Sequence, residues 1–221
     1  MPFFTNRMKY IVGIDEVGRG PLAGPVAVCA FMITEKGAER FLQQKSLGKL
    51  PLRDSKKLSK SQREIWFTEI KKLQKALKCN FVVSMVSAQK IDKIGIAPAI
   101  RFALAQSLKK LENNSVYRVF RHGEKHGTHI FLDGGLKAPI EYKNQQTIIK
   151  GDEKIPVISL ASICAKVMRD NHMQKMAKKY PAYGFENHVG YGTAAHYTAI
   201  KKQGLTEIHR RSFLKNFSRK Q

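Results

Sequence analysis

Acidic side chains are scarce in this sequence. Of 221 residues, 17 are Asp or Glu against 40 Lys or Arg, a formal charge of +23. Cysteine is scarcer still: Cys29, Cys79 and Cys164 lie far apart and form no C-x-x-C. That excludes a zinc ribbon and a disulfide scaffold. Each thiol sits among apolar neighbours and reads as a small buried hydrophobe of a reduced, cytoplasmic protein. No apolar run reaches the ~18 residues of a membrane span; the longest, around Val26–Ile33, has the length of a strand. The opening MPFFTNRMKYIVGID lacks the basic, apolar, small-residue order of a secretory signal. Internal repeats and low-complexity tracts are absent too.

What is there suffices for a folded domain. Hydrophobic residues make up 43% of the chain and aromatics 9%, enough to close a core. The length suits one domain, or one domain with a small appendage. A positive surplus this large is costly through self-repulsion unless the usual partner is a polyanion, and nucleic acid is the commonest.

Hydrophobic periodicity gives the order of elements. Tyr10–Ile14 and Pro25–Ile33 read as strands separated by the turn-rich GRGPLAG at 18–24. Residues 34–60 are mostly polar loop, with a short helix at Ala38–Gln44. Ser61–Lys78 is an amphipathic helix carrying Ile65, Trp66, Ile70, Leu73 and Leu77, with Ser61 and Glu64 as a capping box. Cys79–Val86 is a strand and Ala97–Glu112 a helix. Val116–Phe120 and Ile130–Leu132 are strands around the polar insert RHGEKHGTH, and Thr147–Lys150 is one more strand or its edge. Pro156 opens a helix that runs to about Lys178, and Thr193 caps a last one ending at Lys202. Strands first, then helix and strand in alternation, argue for an α/β layer fold. The basic last third reads as a C-terminal helical extension (184–221) beside a sheet domain (1–183).

In so basic a chain the six aspartates, Asp15, Asp54, Asp92, Asp133, Asp152 and Asp170, are the informative residues. Asp15 and Glu16 end YIVGIDE, Asp133 ends HIFLDGG, and Asp152 ends TIIKGD. Asp is depleted in strands, so three acid-bearing strand ends are not what propensity supplies, although Asp and Gly also close ordinary turns. In an open α/β sheet such ends can converge on one edge. Clustered carboxylates stay ionised together only in the presence of cations, and an all-oxygen set without Cys or His suits Mg²⁺ or Mn²⁺. With a polyanion as partner, the reaction suggested is phosphodiester hydrolysis in which two ions roughly 3.5–4 Å apart activate a water and stabilise the leaving 3′ oxygen. A non-catalytic basic binding protein would suit the charge but not the clustered acids.

Seven segments, GIDEVGRGPLAGPVAV (13–28), DSKKLS (54–59), LDGG (132–135), KGD (150–152), SLASICAKVMRD (159–170), GYGT (190–193) and IHRRSF (208–213), together resemble bacterial ribonuclease HII, in order and across residues 8–213. The resemblance implies a ribonuclease H-like mixed sheet flanked by helices. It implies an endonuclease that cleaves the RNA strand of RNA–DNA hybrids, nicks duplex DNA 5′ to an embedded ribonucleotide and leaves 5′-phosphomonoesters. Metal ligands are implied at Asp15, Glu16, Asp133 and Asp152. Asp170 also belongs to the pattern. On a helix from Ser159 it would lie eleven residues along, roughly 16 Å at 1.5 Å per residue, so it and Asp152 can hardly share one metal pair; strand-end placement favours Asp152 and leaves Asp170 to pair with a neighbouring base such as Arg169 or to support the fold.

For the substrate, Gly18 and Gly20 let the backbone approach a ligand and Arg19 can neutralise a phosphate. The missing G-K-[ST] disfavours a nucleotide-triphosphate loop. In the resembled family this segment senses the ribose 2′-hydroxyl. Tyr191 between two glycines fits a turn that presents its ring for stacking, and the family's substrate-reading tyrosine stands here. The resemblance makes Ser55 and Lys56 backbone-phosphate contacts, where composition alone gives a charged, helix-capping turn. Ser162 and Ala165 read as packing positions; Arg210 and Arg211 read either as phosphate contacts or as braces. His122, His126 and His129 do not share one helical face, because Gly123 and Gly127 interrupt it, so they are not read as a metal site. The 117–129 insert departs from the family, as does Val17 where Ala is common. With no dimer pattern, a monomer is the default, bound to RNA–DNA hybrid or ribonucleotide-containing duplex and to no membrane.

Overall fold

The computed structural model describes residues 10–37, 46–47, 50–52, 55–76, 78–113 and 128–214. The helix at Ala38–Gln44, the strand at Val116–Phe120, His122, His126 and Asp54 lie outside the described residues.

Among the described residues, five strands form the central sheet: β1 (Tyr10–Val17), β2 (Val26–Thr34), β5 (Cys79–Val86), β6 (Thr128–Asp133) and β7 (Gln145–Ile148), in the order β5-β2-β1-β6-β7. A separate two-residue ladder pairs β3 (Ser46–Leu47) with β4 (Leu50–Pro51). β2 runs antiparallel to both neighbours, whereas β1, β6 and β7 are parallel. The sheet is therefore mixed, as expected. β1 is longer than its apolar run suggests, because Asp15 and Glu16 still pair with Cys29 and Val28 of β2.

Both faces are covered, so β2 is buried along nearly its whole length. Alternation sorts its side chains: Val28, Ala30 and Met32 join Val12 and Ile14 on one face, while Cys29, Phe31 and Ile33 take the other. The first face receives α2 (Ala88–Ile94) and α3 (Ile96–Glu112), whose Ile100, Ala103, Leu104 and Leu108 fill that core. The second receives α1 (Lys60–Lys75) and the long α5 (Pro156–Lys179). The three cysteines are free and buried in this second layer, as read. At Gly13 a Cβ would stand 2.2 Å from the Val157 carbonyl oxygen. Only glycine lets α5 lie that close on β1.

Two local expectations change. The capping box of α1 is Ser59 with Gln62, not Ser61 with Glu64. Starting the helix at Lys60 puts Arg63 in the first turn, where its guanidinium reaches the carbonyls of Ser55 and Leu58. And α2, seven residues closed by Gly95 at φ 83°, stands where no separate helix was read.

Past α5 the chain makes a one-turn helix α6 (Phe185–His188) and then α7 (Ala194–Gln203), capped by Thr193 as expected. A third apolar cluster, with Met173, Tyr183, Phe185 and Ile200, packs this region against Leu22 and Ala23 of the glycine loop.

Candidate active site

Strand register assembles the acids. β1 and β6 are parallel with Ile14 opposite Leu132, so the next step along each strand sets Asp15 beside Asp133, on neighbouring strands about 5 Å apart. Side chains alternate, so both face α5 and Glu16 turns to the other side of the same sheet end. Asp152 arrives differently from the expectation. It is not a strand end but lies in the one-turn helix α4 (Gly151–Lys154), entered through Lys150 in the left-handed region at φ 54°. The Asp133 carboxylate caps that turn, accepting from the amides of Gly151 (2.6 Å) and Asp152 (3.4 Å). Asp133 thus fixes the backbone of Asp152 beside it, while the Asp152 carboxylate bonds Lys56. Asp170 pairs with a neighbouring base as expected, but the base is Lys166 at 3.0 Å, one turn back along α5, and not Arg169.

The cluster is only partly compensated. Asp15 is only 4% exposed, and its pKa is raised to about 8, by burial above all and then by Glu16 and Asp133, against a lowering hydrogen bond from Ser162. Burial also raises Glu16, opposed by Arg19. Two unit charges about 5 Å apart repel by roughly 3 kcal/mol at an effective dielectric near 20. Each acid therefore leans on a local partner: Asp15 on the Glu16 amide at 2.7 Å, Glu16 on Arg19 at 3.1 Å, Asp152 on Lys56 at 3.2 Å. Among the described residues no three such side chains close tightly enough to enclose an ion. The donor set nevertheless fits a hard divalent cation: oxygen-only, buried at Asp15 and repulsive until neutralised.

Around the acids stand the residues read for substrate. Ser55 is buried, its hydroxyl 2.7 Å from that of Ser162. Ser162, read as a packing position, thus links the 55–59 turn to Asp15. Lys56 is exposed beside Asp152. The glycine loop leaves β1 through Gly18 at φ 88° and is stitched down on its inner side. Arg210 is fully buried and donates to the carbonyls of Gly18 (2.7 Å), Arg19 (2.9 Å) and Gly24 (3.0 Å). Arg169, equally buried, donates to Pro25 (2.9 Å), Val189 (3.1 Å) and Ala23 (3.3 Å). Arg210 is therefore a brace, while Arg211 is exposed with its amide on Asp92. The Arg19 side chain faces solvent.

Tyr191 is 41% exposed and not a core residue. Its ring edge borders Gly20 across the loop. Gly190, at φ 88°, has no room for a side chain: a Cβ would stand 2.3 Å from the Ala23 carbonyl oxygen. Its own carbonyl accepts from the amides of Leu22 and Ala23.

Beneath this turn lie buried His188, His196 and His209. Burial and the neighbouring His196 push His209 down to about 4, and burial lowers His196. The unfolded histidine titrates near 6.5, so between about 6.5 and 4 the unfolded chain binds the extra proton. Stability from this site is complete above 6.5 and drains as pH falls toward 4. Asp15, shifted upward, acts with the opposite sign, so the His209 contribution is isolated by comparison with His209→Leu. Urea midpoints at pH 8 to 4.5 should show the parent losing on the order of 3 kcal/mol relative to that variant at the acid end. A pH-independent difference would refute a neutral, buried His209.

The family model for ribonuclease HII matches residues 12–216. Ribonuclease HII of Bacillus anthracis is 43% identical over 207 residues, covering 93% of this chain and 69% of its own; that of Bacillus thuringiensis (strain Al Hakam) is 42% identical over 206 residues, covering the same shares. Among solved structures, ribonuclease HII of Archaeoglobus fulgidus in complex with PCNA superposes with TM-score 0.65 at 23% identity, covering 92% of this chain and 94% of that one. Ribonuclease H2 of Pyrococcus horikoshii gives 0.63 at 24%, over 96% and 98%, and Bst-RNase HIII in complex with Mn²⁺ gives 0.62 at 14%, over 95% and 66%. These three share the ribonuclease H fold. Because the matched stretch runs from the carboxylate-bearing β1 through the Tyr191 turn to the Arg210 brace, and the identity to curated relatives extends over nearly all of it, the chain belongs to the ribonuclease HII family.

Proposed function

We propose that the chain is a divalent-metal-dependent endoribonuclease that cleaves the RNA strand of RNA–DNA hybrids and nicks duplex DNA on the 5′ side of a single embedded ribonucleotide, leaving 5′-phosphomonoesters. The observation that carries this reading is the meeting of Asp15, Glu16 and Asp133 at one sheet end, with Asp152 drawn in by the Asp133 cap. Those four carboxylates would hold Mg²⁺ or Mn²⁺. Bound divalent ions supply activation of the attacking water and stabilisation of the 3′ oxygen that leaves.

The chain's other residues bind and orient. Lys56, exposed beside Asp152, offers an ammonium to the backbone phosphate that enters the cluster, while Ser55 fixes the turn that carries it. Gly18 and Gly20 would keep the loop backbone open to the sugar, and the solvent-facing Arg19 would neutralise a flanking phosphate. The Tyr191 ring, beside Gly20, would stack on the sugar or base at the junction, where the 2′-hydroxyl distinguishes RNA from DNA. The +23 charge concentrates the polyanion and makes binding steeply salt-dependent.

The test compares three end-labelled duplexes, all DNA, RNA–DNA hybrid, and DNA with one ribonucleotide, each with Mg²⁺, Mn²⁺ or EDTA. Cleavage of the last two alone, abolished by EDTA and leaving a 5′-phosphate, is expected. Equal cutting of all-DNA duplex, or cutting that survives EDTA, would overturn the reading.

A further inference from the structure

The histidines under the Tyr191 turn belong neither to the carboxylate cluster nor to the glycine loop, and their protons can be placed because both ends of the file are backbone groups of fixed polarity. The Thr206 amide donates to His209 Nδ1 at 2.9 Å, so the His209 proton sits on Nε2. That proton faces His196 Nε2 at 3.1 Å. His196 Nε2 accepts it, so the His196 proton is on Nδ1 and is donated to the Tyr191 carbonyl at 2.9 Å. His188, stacked on His196 with centroids 4.5 Å apart, accepts from the Gly190 amide and donates to the Tyr183 carbonyl. The bonds run in one direction, from Thr206 to Tyr191. A second proton on His196 or His209 would set two donors facing each other.

The end of this file is a residue whose ring has little packing of its own. Tyr191 is half-exposed, so its placement is set by its backbone. That backbone is constrained on both sides. Val189, β-branched, stands at φ 43°, a conformation such residues rarely adopt, and Arg169 holds its carbonyl. Strain of this kind persists only where the surroundings over-determine it. On the other side the Tyr191 carbonyl takes both the Thr193 amide and the His196 ring.

We infer that His196, with its tautomer fixed by His209, is a positioning residue that holds Tyr191 beside the glycine loop for recognition of the ribonucleotide. The inference rests on the reading that Tyr191 touches the substrate. A space-filling role would need only a ring of the right size among Phe185, His188 and His209; a positioning role needs the Nδ1–H donor.

A double-mutant cycle separates these. His196→Leu keeps bulk and removes the donor, whereas His196→Asn returns an N–H near the Nδ1 position. Single-turnover cleavage of the one-ribonucleotide duplex is measured for each, alone and combined with Tyr191→Ala, with thermal unfolding as the control for folding. His196→Leu should slow cleavage about tenfold, His196→Asn should recover to within about threefold, and in the Tyr191→Ala background His196→Leu should add less than about twofold. Equal losses for Asn and Leu, or a full His196→Leu loss on top of Tyr191→Ala, would overturn the inference and leave the recognition reading standing. A Tyr191→Ala protein with parental activity would overturn both. If His196→Leu does not fold, His196→Phe, which keeps a ring and removes the donor, takes its place in the cycle with the same expectations.

Discussion

Asp133→Asn should bind an RNA–DNA hybrid within about threefold of the parent and lose roughly a thousandfold in turnover, about 4 kcal/mol at 1.4 kcal/mol per decade. The amide is isosteric, and its oxygen can still accept from the Gly151 and Asp152 amides, so α4 should stay in place. What disappears is a negative charge beside Asp15 and Glu16. Removing a repulsive charge relieves the fold, so the melting temperature should hold or rise without metal, as at other sites where function is kept at a cost in stability. The combination is diagnostic: a folding defect would lower both stability and activity. Equilibrium binding, single-turnover rates with Mg²⁺ and Mn²⁺, and thermal scans in EDTA check it. Parental turnover would remove Asp133 from the catalytic set.

The fold was legible where burial writes a pattern. β2 and β5 were read nearly to the residue because β2 is covered on both faces and β5 begins and ends on buried Cys79 and Val86. Where the pattern was ambiguous the reading slipped. Two overlapping Ser-x-x-acid-or-amide boxes open α1, and the first is formed, with Arg63 bonding back to the carbonyls of the preceding turn. TIIKGD looks like a strand running into an acid, yet the strand stops at Ile148 and a left-handed Lys150 starts a helical turn, a conformation that residue type does not announce. Asp152 is tied to Asp133 through a cap rather than through the sheet.

The support behind the site was less visible. Asp15, Glu16 and Tyr191 stand out because their residue types are wrong for their neighbourhoods. Arg169 and Arg210 are the reverse: ordinary cations in a basic chain whose role comes from three carbonyls brought to each by distant segments. For Arg169 a signal existed, since it falls four and eight residues after Ala165 and Ala161 on the buried stripe of α5. IHRRSF carries no such signal for Arg210. The histidine file is equally silent in one dimension, because His188, His196 and His209 share no spacing that marks a common cluster.

Arg210→Lys should be among the most damaging conservative changes in the chain. The guanidinium spans the Gly18, Arg19 and Gly24 carbonyls from one fixed fork; an ammonium is a compact point donor that cannot reach all three. Burial, then the nearby charge of Arg169, already works against the charged form, so the side chain is tolerated only while those bonds are complete. A lysine would leave a buried cation poorly paired and at least one loop carbonyl without a donor, a loss of about 3–5 kcal/mol. For a chain of this length that lowers the melting temperature by roughly 10 °C. The same bonds shape the loop between the acids and Tyr191, so the surviving folded fraction, assayed below its melting point, should lose cleavage at the one-ribonucleotide duplex while tryptophan fluorescence of buried Trp66 stays native. Arg211→Lys, exposed and one residue away, should change neither stability nor cleavage by more than about twofold, within the range of ordinary surface substitutions. An Arg210→Lys protein that melts and cleaves like the parent would mean that the loop holds its shape without its brace.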